Sequence, residues 1–239
     1  GLVLDKAGNK MSKRLGNAVN PFETVEKYGP DALRWYMMTN AQPWDNLKFD
    51  EAGVDEVKRK FFGTLYNTYS FFALYANVDG FTNKVEEVPV NERPEIDRWA
   101  LALLHETITT VTDALDNFDA KGAGEAIESF VDQLSNWYVR RNRRRFWKST
   151  DPEDKQAAYL TLYECLKGAH ELMAPFVPFL AENVYQNLVR SVDPDALPSV
   201  HMGNWPEAKD DWRNEALLHD IGVVQKVVGL GRAARAKSG

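Results

Sequence analysis

Cysteine and histidine are scarce in this sequence. The 239 residues include a single cysteine, Cys165, and four histidines. One cysteine excludes an intrachain disulfide framework and a multi-cysteine zinc site, and it fits a reducing compartment. The histidines are isolated from one another and show neither zinc-ligand nor triad spacing, so we predict no metal site: they are His105, His170, His201 and His219.

Long apolar runs are missing as well. No stretch approaches the ~18 consecutive apolar residues that a membrane-spanning helix needs. No basic-then-apolar leader opens the chain, so no secretory signal is visible. We therefore expect a cytoplasmic protein with no membrane partner.

The chain has no excess of positive charge. Lysine and arginine total 29 against 35 acidic residues, which gives a formal net charge of −6 and a pI near 5.4. A protein that coats polyanions nonspecifically would be basic overall, so a nucleic-acid site here must be a local patch. Hydrophobic residues at 44% and aromatic residues at 12% supply ample burial, which excludes disorder for most of the chain.

Helical spacing dominates what is present. After a short strand at Val3-Leu4 and a polar loop, apolar residues recur at intervals of three and four from residue 50 onward. Capping residues predict the helix starts: Asn20-Pro21, Asp50, Pro94, Asp119, a capping box over Thr150-Asp151-Pro152-Glu153, and Glu215. The fold class is therefore mainly α, an antiparallel helix bundle whose aromatic stripes form its core.

A lysine loop precedes the bundle. Lys10-Met11-Ser12-Lys13-Arg14 places three cations and a hydroxyl between the turn signals Gly8-Asn9 and Gly16-Asn17. Lysine ammonium groups suit triphosphate oxygens, and charges that arrive late would stabilise a leaving pyrophosphate. By composition alone, a solvated basic loop is the alternative.

A basic aromatic segment lies in the middle of the bundle. Six cations and no acid occupy residues 140–148. At helical spacing one stripe starts apolar and turns basic: Ile127, Val131, Leu134, Tyr138, Arg141, Arg145 and Lys148. We therefore predict that Arg141 and Arg145 are structural.

The other residues of this segment are predicted to face a ligand. Arg140, Arg143 and Arg144 would seat nucleic-acid phosphates, and Phe146 or Trp147 would stack on bases. The alternative is intramolecular ion pairing with a solvated face.

Two short motifs resemble a known enzyme family. Lys10–Arg14 with the following Leu15–Pro21 resembles the KMSKS loop of class I aminoacyl-tRNA synthetases, with Arg14 where the family name has serine. Tyr28–Arg34 resembles the stem-contact segment of the same enzymes. Within the class, Ser135–Lys148 is similar to the anticodon-binding helical domain of the isoleucyl branch. Later segments extend that similarity over nearly the whole chain: Met173–Glu182, Ser199–Pro206 and Gly229–Arg235.

The resemblance implies ATP-dependent ligation of isoleucine to its tRNA, a step of protein biosynthesis. Lys10 and Lys13 would be catalytic, and with Met11 and Ser12 they would bind ATP. The anticodon arm of the tRNA would be bound by Arg140, Arg143, Arg144, Trp147 and Lys148. ATP and Mg²⁺ would serve the intact enzyme, with none tightly bound to this piece.

The resemblance also divides the chain. Residues 1–48 would hold the KMSKS loop and stem-contact segment, 49–210 the anticodon-binding bundle, and 211–239 the start of a C-terminal helical region. The HIGH motif that completes the ATP site does not occur, and the length leaves no room for an editing domain. We expect a monomeric piece of a longer ligase that is inactive alone.

Three alternatives remain open at this stage. The chain could be the same region of a valyl- or leucyl-tRNA synthetase, a stand-alone helical RNA-binding module, or a helical interaction protein whose basic helix binds an acidic partner. Two observations would discriminate among these interpretations: the sequence that precedes Gly1, and a test for binding of an RNA hairpin.

Overall fold

The computed structural model describes residues 1–238, and helices make up most of it. The α-helices are α1 (Pro21–Tyr28), α2 (Pro30–Thr39), α3 (Glu51–Glu56), α4 (Gly63–Asp79), α5 (Glu95–Asp116), α6 (Ala120–Gln133), α7 (Arg140–Lys148), α8 (Pro152–Met173), α9 (Pro178–Tyr185) and α10 (Glu215–Ser238). Three π-helical segments continue α3, α6 and α9: Val57–Phe62, Leu134–Val139 and Gln186–Arg190. The strands β1 (Val3–Leu4) and β2 (Leu47–Lys48) pair in parallel. The mainly α prediction is confirmed.

Local capping explains several helix starts. Asn20, Asp50 and Asp119 each accept a hydrogen bond from a backbone N–H in the first turn of the helix that follows. These bonds satisfy donors that have no partner within the helix. The starts predicted at these three residues are confirmed.

One predicted start is wrong by a residue. Asp151, not Thr150, caps α8, and its carboxylate accepts from the N–H groups of Glu153 and Asp154 at 3.0 and 3.3 Å. Proline is favoured at the first helical position, so Pro152 makes the residue before it the cap.

The main core lies among α4, α5, α6, α8 and α9. Its largest fully buried side chains include Trp35, Trp99, Phe130, Tyr138 and Phe176. Aromatic rings of this size bury roughly 150–250 Å² each and dominate core energetics. The prediction that the aromatic stripes form the core is confirmed.

A smaller core supports the first fifty residues. It contains Ala32, Tyr36, Leu47, Phe49 and Val54, and the half-buried side chains of Met11 and Val19 pack against it. In the strand pair, Val3 lies opposite Leu47. The lysine loop therefore packs against this smaller core through Met11.

A polar clamp joins α2 to the junction between α8 and α9. The buried Asp31 carboxylate accepts from the Leu180 N–H at 2.6 Å, which caps α9 from another part of the chain. Arg34 donates through Nε to the Phe176 carbonyl and through its terminal nitrogen to the Pro175 carbonyl, both at 2.9 Å. Burial raises the pKa of Asp31, although the N–H donors act against that shift.

The described residues contain no helix that combines the length and apolar character required to cross a membrane. Within the same residues, no three His, Cys, Asp or Glu side chains form a group that could hold a metal ion.

Candidate nucleotide and nucleic-acid sites

The lysine loop begins as a tight hairpin. An antiparallel bridge joins Leu4 to Lys10. Inside it, Asp5 donates its N–H to the Asn9 carbonyl and accepts the Gly8 N–H on its own carbonyl, both at 2.9 Å. Gly8 has a φ of 89°, a conformation that a side chain would disfavour. Lys10 is thus the first residue beyond a fixed turn.

A short 3-10 turn forms the second half of the loop. The Ser12 hydroxyl caps it by accepting from the Arg14 N–H at 3.2 Å. Gly16 ends it in the left-handed conformation, with φ at 67°. Lys13 and Arg14 lie on this turn with exposed side chains.

The Asn17 side chain closes the loop. Its Oδ1 accepts from the Ser12 N–H at 2.9 Å, and its Nδ2 donates to Asp5 Oδ2 at 2.9 Å and to the Lys10 carbonyl at 3.2 Å. The Asn17 donation, followed by the Asn9 N–H, lowers the pKa of Asp5 below its usual range. Sequence reasoning took both Gly-Asn pairs only as turn signals and missed the roles of Asp5 and Asn17.

The cations of the loop face solvent. Lys10, Lys13 and Arg14 are exposed, and within residues 1–238 none is ion-paired with a carboxylate. Three free cations on one closed loop can receive a polyanion such as a triphosphate without first breaking an ion pair.

A second cationic surface lies on α7. We call it the arginine face: the exposed side chains of Arg140, Arg141, Arg143, Arg144 and Lys148, with Trp147 48% exposed beside them. In the part of the chain that the structure describes, none of these cations pairs with a carboxylate. The alternative of intramolecular ion pairing therefore does not hold for this face.

Aromatic rings fix several of these side chains. The Arg141 guanidinium lies 3.7 Å from the centroid of the Trp137 ring, and Arg143 lies 6.0 Å from that of Phe71. Trp147 meets Tyr75 edge-on at 6.2 Å between centroids. Stacking limits the freedom of the guanidinium groups, so less entropy is lost when they bind.

The register of this helix corrects two predictions. Arg141 is exposed and Asn142 takes its place in the core at 3% exposure, while Phe146 is fully buried. The cause is the π-helical segment Leu134–Val139, whose wider turn holds an extra residue. Every later side chain is rotated back by roughly 100°, one residue's step in an α-helix. Arg141 is therefore not structural in the predicted sense.

Phe146 cannot stack on a base as predicted. Its ring contacts Tyr159 at 4.9 Å and Phe71 at 5.1 Å between centroids, both edge-on. Trp147, the other candidate, is the aromatic residue of α7 that reaches the surface.

The prediction that Arg145 is structural is confirmed. Its two terminal nitrogens donate to the two carboxylate oxygens of the fully buried Asp97, each at 2.7 Å. Its Nε donates to Asp154 at 3.0 Å, and the Tyr138 hydroxyl donates to Asp97 at 2.7 Å. Burial alone would lower the pKa of Arg145, but the hydrogen bonds and charge of Asp97 outweigh it and raise that pKa.

Comparison with known sequence families defines the class. Residues 97–239 match the family described as "Anticodon-binding domain of tRNA ligase", and residues 1–50 match "tRNA synthetases class I (I, L, M and V)". A LeuRS chain of Agrobacterium radiobacter K84, solved in a ternary complex with tRNA and LeuAMS, has the same fold. Its TM-score is 0.68 at 22% identity, over 91% of this chain and 24% of that one. The chain belongs to the anticodon-binding domain family of tRNA ligases.

Individual relatives narrow this class. The isoleucine–tRNA ligase of Bacteroides fragilis is 54% identical over 99% of this chain and 21% of its own length. That of Thermus thermophilus is 51% identical over 100% of this chain and 23% of its own length. The chain is thus homologous to isoleucine–tRNA ligases and spans about a fifth of the length of these relatives, as the predicted resemblance to the isoleucyl branch requires.

Proposed function

We propose that this chain is part of an enzyme that attaches isoleucine to its tRNA, and that it supplies the lysine loop and the surface that binds the anticodon arm. The observation that carries the proposal is the arginine face: free cations concentrated on one helix of a net-acidic chain. The homology to isoleucine–tRNA ligases supports the amino-acid specificity.

The lysine loop acts in the first step of the reaction. An isoleucine carboxylate oxygen attacks the α-phosphorus of ATP, the bond from that phosphorus to the oxygen bridging to the β-phosphate breaks, and pyrophosphate leaves, which yields isoleucyl-adenylate. Lys10 and Lys13 stabilise the negative charge that builds on the leaving group. Met11 anchors the loop on the small core and Ser12 caps its turn. With ATP bound, Mg²⁺ adds charge neutralisation on the phosphates.

The second step uses the arginine face. A terminal ribose hydroxyl of the tRNA attacks the isoleucyl carbonyl, and AMP leaves. Arg140, Arg143, Arg144 and Lys148 hold phosphates of the anticodon arm, and Trp147 stacks on a base. Their part is to position the tRNA, since the chemistry takes place elsewhere.

Domain limits and setting belong to the same proposal. Residues 1–48 form the loop and stem-contact part, 49–210 the anticodon-binding bundle, and 211–239 the start of a C-terminal region. The enzyme works as a cytoplasmic monomer with ATP, isoleucine and tRNA as its partners.

Pyrophosphate exchange tests the activity. The product of the complete gene should exchange pyrophosphate into ATP only when isoleucine is present. The 239-residue chain alone should not, because positioning both reactants supplies much of the rate and the chain contains no HIGH motif. Exchange driven by valine or leucine in preference to isoleucine would assign the chain to another member of the class.

Salt dependence tests the arginine face. Each phosphate contact in a single-stranded loop adds about −0.7 to the slope of log affinity against log salt. Replacing Arg140, Arg143 and Arg144 by alanine should flatten the slope for an isolated anticodon stem-loop by about two.

A matched variant controls for net charge. Lys121, Lys167 and Arg213 each pair with a glutamate elsewhere on the surface, so replacing them removes the same three charges. We expect the slope of this control to stay near that of the unmodified chain. An unchanged slope in the folded α7 variant would place the RNA site elsewhere.

A further inference from the structure

The two residues that close the lysine loop lie outside its basic run. Asp5 precedes the run and Asn17 follows it, and their side chains meet at 2.9 Å. The Asn17 amide also contacts the loop backbone at the Ser12 N–H and the Lys10 carbonyl. One side chain thus joins the entry, the middle and the exit of the loop.

Few other contacts hold this shape. Lys10, Lys13, Arg14 and Leu15 are exposed, and Met11 is the loop residue that packs on the small core. Where packing is sparse, a few hydrogen bonds decide the conformation of a loop.

The Asp5 carboxylate is occupied by N–H donors. Oδ1 accepts from Ala7 and Asn9 at 3.0 and 2.8 Å, and Oδ2 accepts from Asn17. This carboxylate forms no ion pair with Lys10 or Lys13 in the described chain. Both lysines stay available to phosphates.

We propose that Asn17 and Asp5 are positioning residues for the adenylation step, holding Lys10 and Lys13 in the relative placement that the leaving pyrophosphate requires. The inference rests on the proposed function. Neither residue touches ATP in it; both act through the backbone of the loop.

Steady-state exchange kinetics of the complete gene product test the role. Asn17→Ala should lower kcat for isoleucine-dependent exchange by about ten- to a hundredfold, the range expected when catalytic groups shift by about 1 Å. The KM for ATP should change less than about threefold, because ground-state binding needs no exact placement of the lysines. Asn9→Ala is the matched control, since the Asn9 side chain makes only a 3.4 Å contact to the same Asp5 oxygen.

A charge swap tests the contact itself. Asn17→Asp removes both donations and sets a carboxylate against Asp5, so its kcat should fall at least as far as that of Asn17→Ala. In the double variant D5N/N17D a donor faces an acceptor again, and part of the lost kcat should return. A double variant without any recovery would overturn the role assigned to the contact between Asp5 and Asn17.

Limited trypsin digestion supplies a readout that needs no activity. Cleavage after Lys13 and Arg14 in the same full-length protein should quicken in Asn17→Ala and stay at the wild-type rate in Asn9→Ala. Faster cleavage together with a lower kcat supports the proposal.

The other outcomes overturn it in distinguishable ways. An Asn17→Ala enzyme with normal kcat overturns the inference alone, whatever the trypsin rates. A lower kcat with unchanged cleavage also overturns it, because the loop would still be held. A wild-type protein without isoleucine-dependent exchange overturns the proposed function, and the inference with it.

Discussion

Arg145→Ala, compared with Arg141→Ala, tests how the helix after the π-helical segment is oriented. The side chain of Arg145 is 14% exposed and that of its partner Asp97 is 0% exposed. Removing the arginine leaves the Asp97 charge buried with the Tyr138 hydroxyl as its remaining side-chain donor. Breaking a buried pair in this way costs about 3–5 kcal/mol of unfolding free energy.

The expected loss translates into a measurable change in melting temperature. Domains of 150–250 residues lose about 2–4 °C per kcal/mol, so Arg145→Ala should melt roughly 6–20 °C lower. Circular dichroism of the purified chain at neutral pH, with urea titration in parallel, measures both quantities. Arg141→Ala is the matched control, because the exposed Arg141 should change stability by no more than about 0.5 kcal/mol.

The double variant Asp97→Leu/Arg145→Leu isolates the charge effect. Replacing both partners by apolar groups should recover much of the loss, because no charge is left buried. If Arg141→Ala destabilised the chain as much as Arg145→Ala, the rotation that we assign to the π-helical segment would be wrong. An Arg145→Ala chain within about 1 kcal/mol of wild type would refute the buried-charge argument.

Three further predictions follow from the same contacts. In the complete gene product, Lys13→Ala should lower kcat for pyrophosphate exchange by about 10²–10³-fold, as expected for loss of one transition-state donor. Lys6→Ala, in the exposed turn that precedes the loop, is the control, and an effect on the KM for ATP alone would contradict the role of Lys13. Trp147→Ala should weaken binding of the anticodon stem-loop by about 1–3 kcal/mol with little change in salt slope, and an altered slope would argue against stacking. Burial lowers the pKa of His170 from 6.5 to about 4. The unfolded chain therefore binds the proton first, and the free energy of unfolding should fall by about 3 kcal/mol as the pH drops between these values. Urea unfolding across this range should show no such dependence in His170→Leu, and an equally steep dependence in that variant would assign it to other groups.

Local sequence determined a large part of this protein. Asn20, Asp50 and Asp119 cap the helices that follow them because a capping bond needs only residues within one turn. The residues of the lysine loop, and those of the arginine face, are likewise contiguous in the chain, so both groups can be identified from the sequence alone. The structural role predicted for Arg145 is confirmed although the helix is rotated, because its side chain still reaches the buried Asp97 carboxylate.

Tertiary structure decided the rest. Whether Arg141 or Asn142 faces the core depends on an extra residue in a π-turn, which no local preference marks and which packing against neighbouring helices selects. The Asp31 cap on α9 joins residues 149 positions apart, and the Asn17 contact to Asp5 spans 12. Such polar contacts form only after the fold has brought the two residues together. An Asp or Asn side chain can bond to many different groups, so the sequence does not indicate which partner it has.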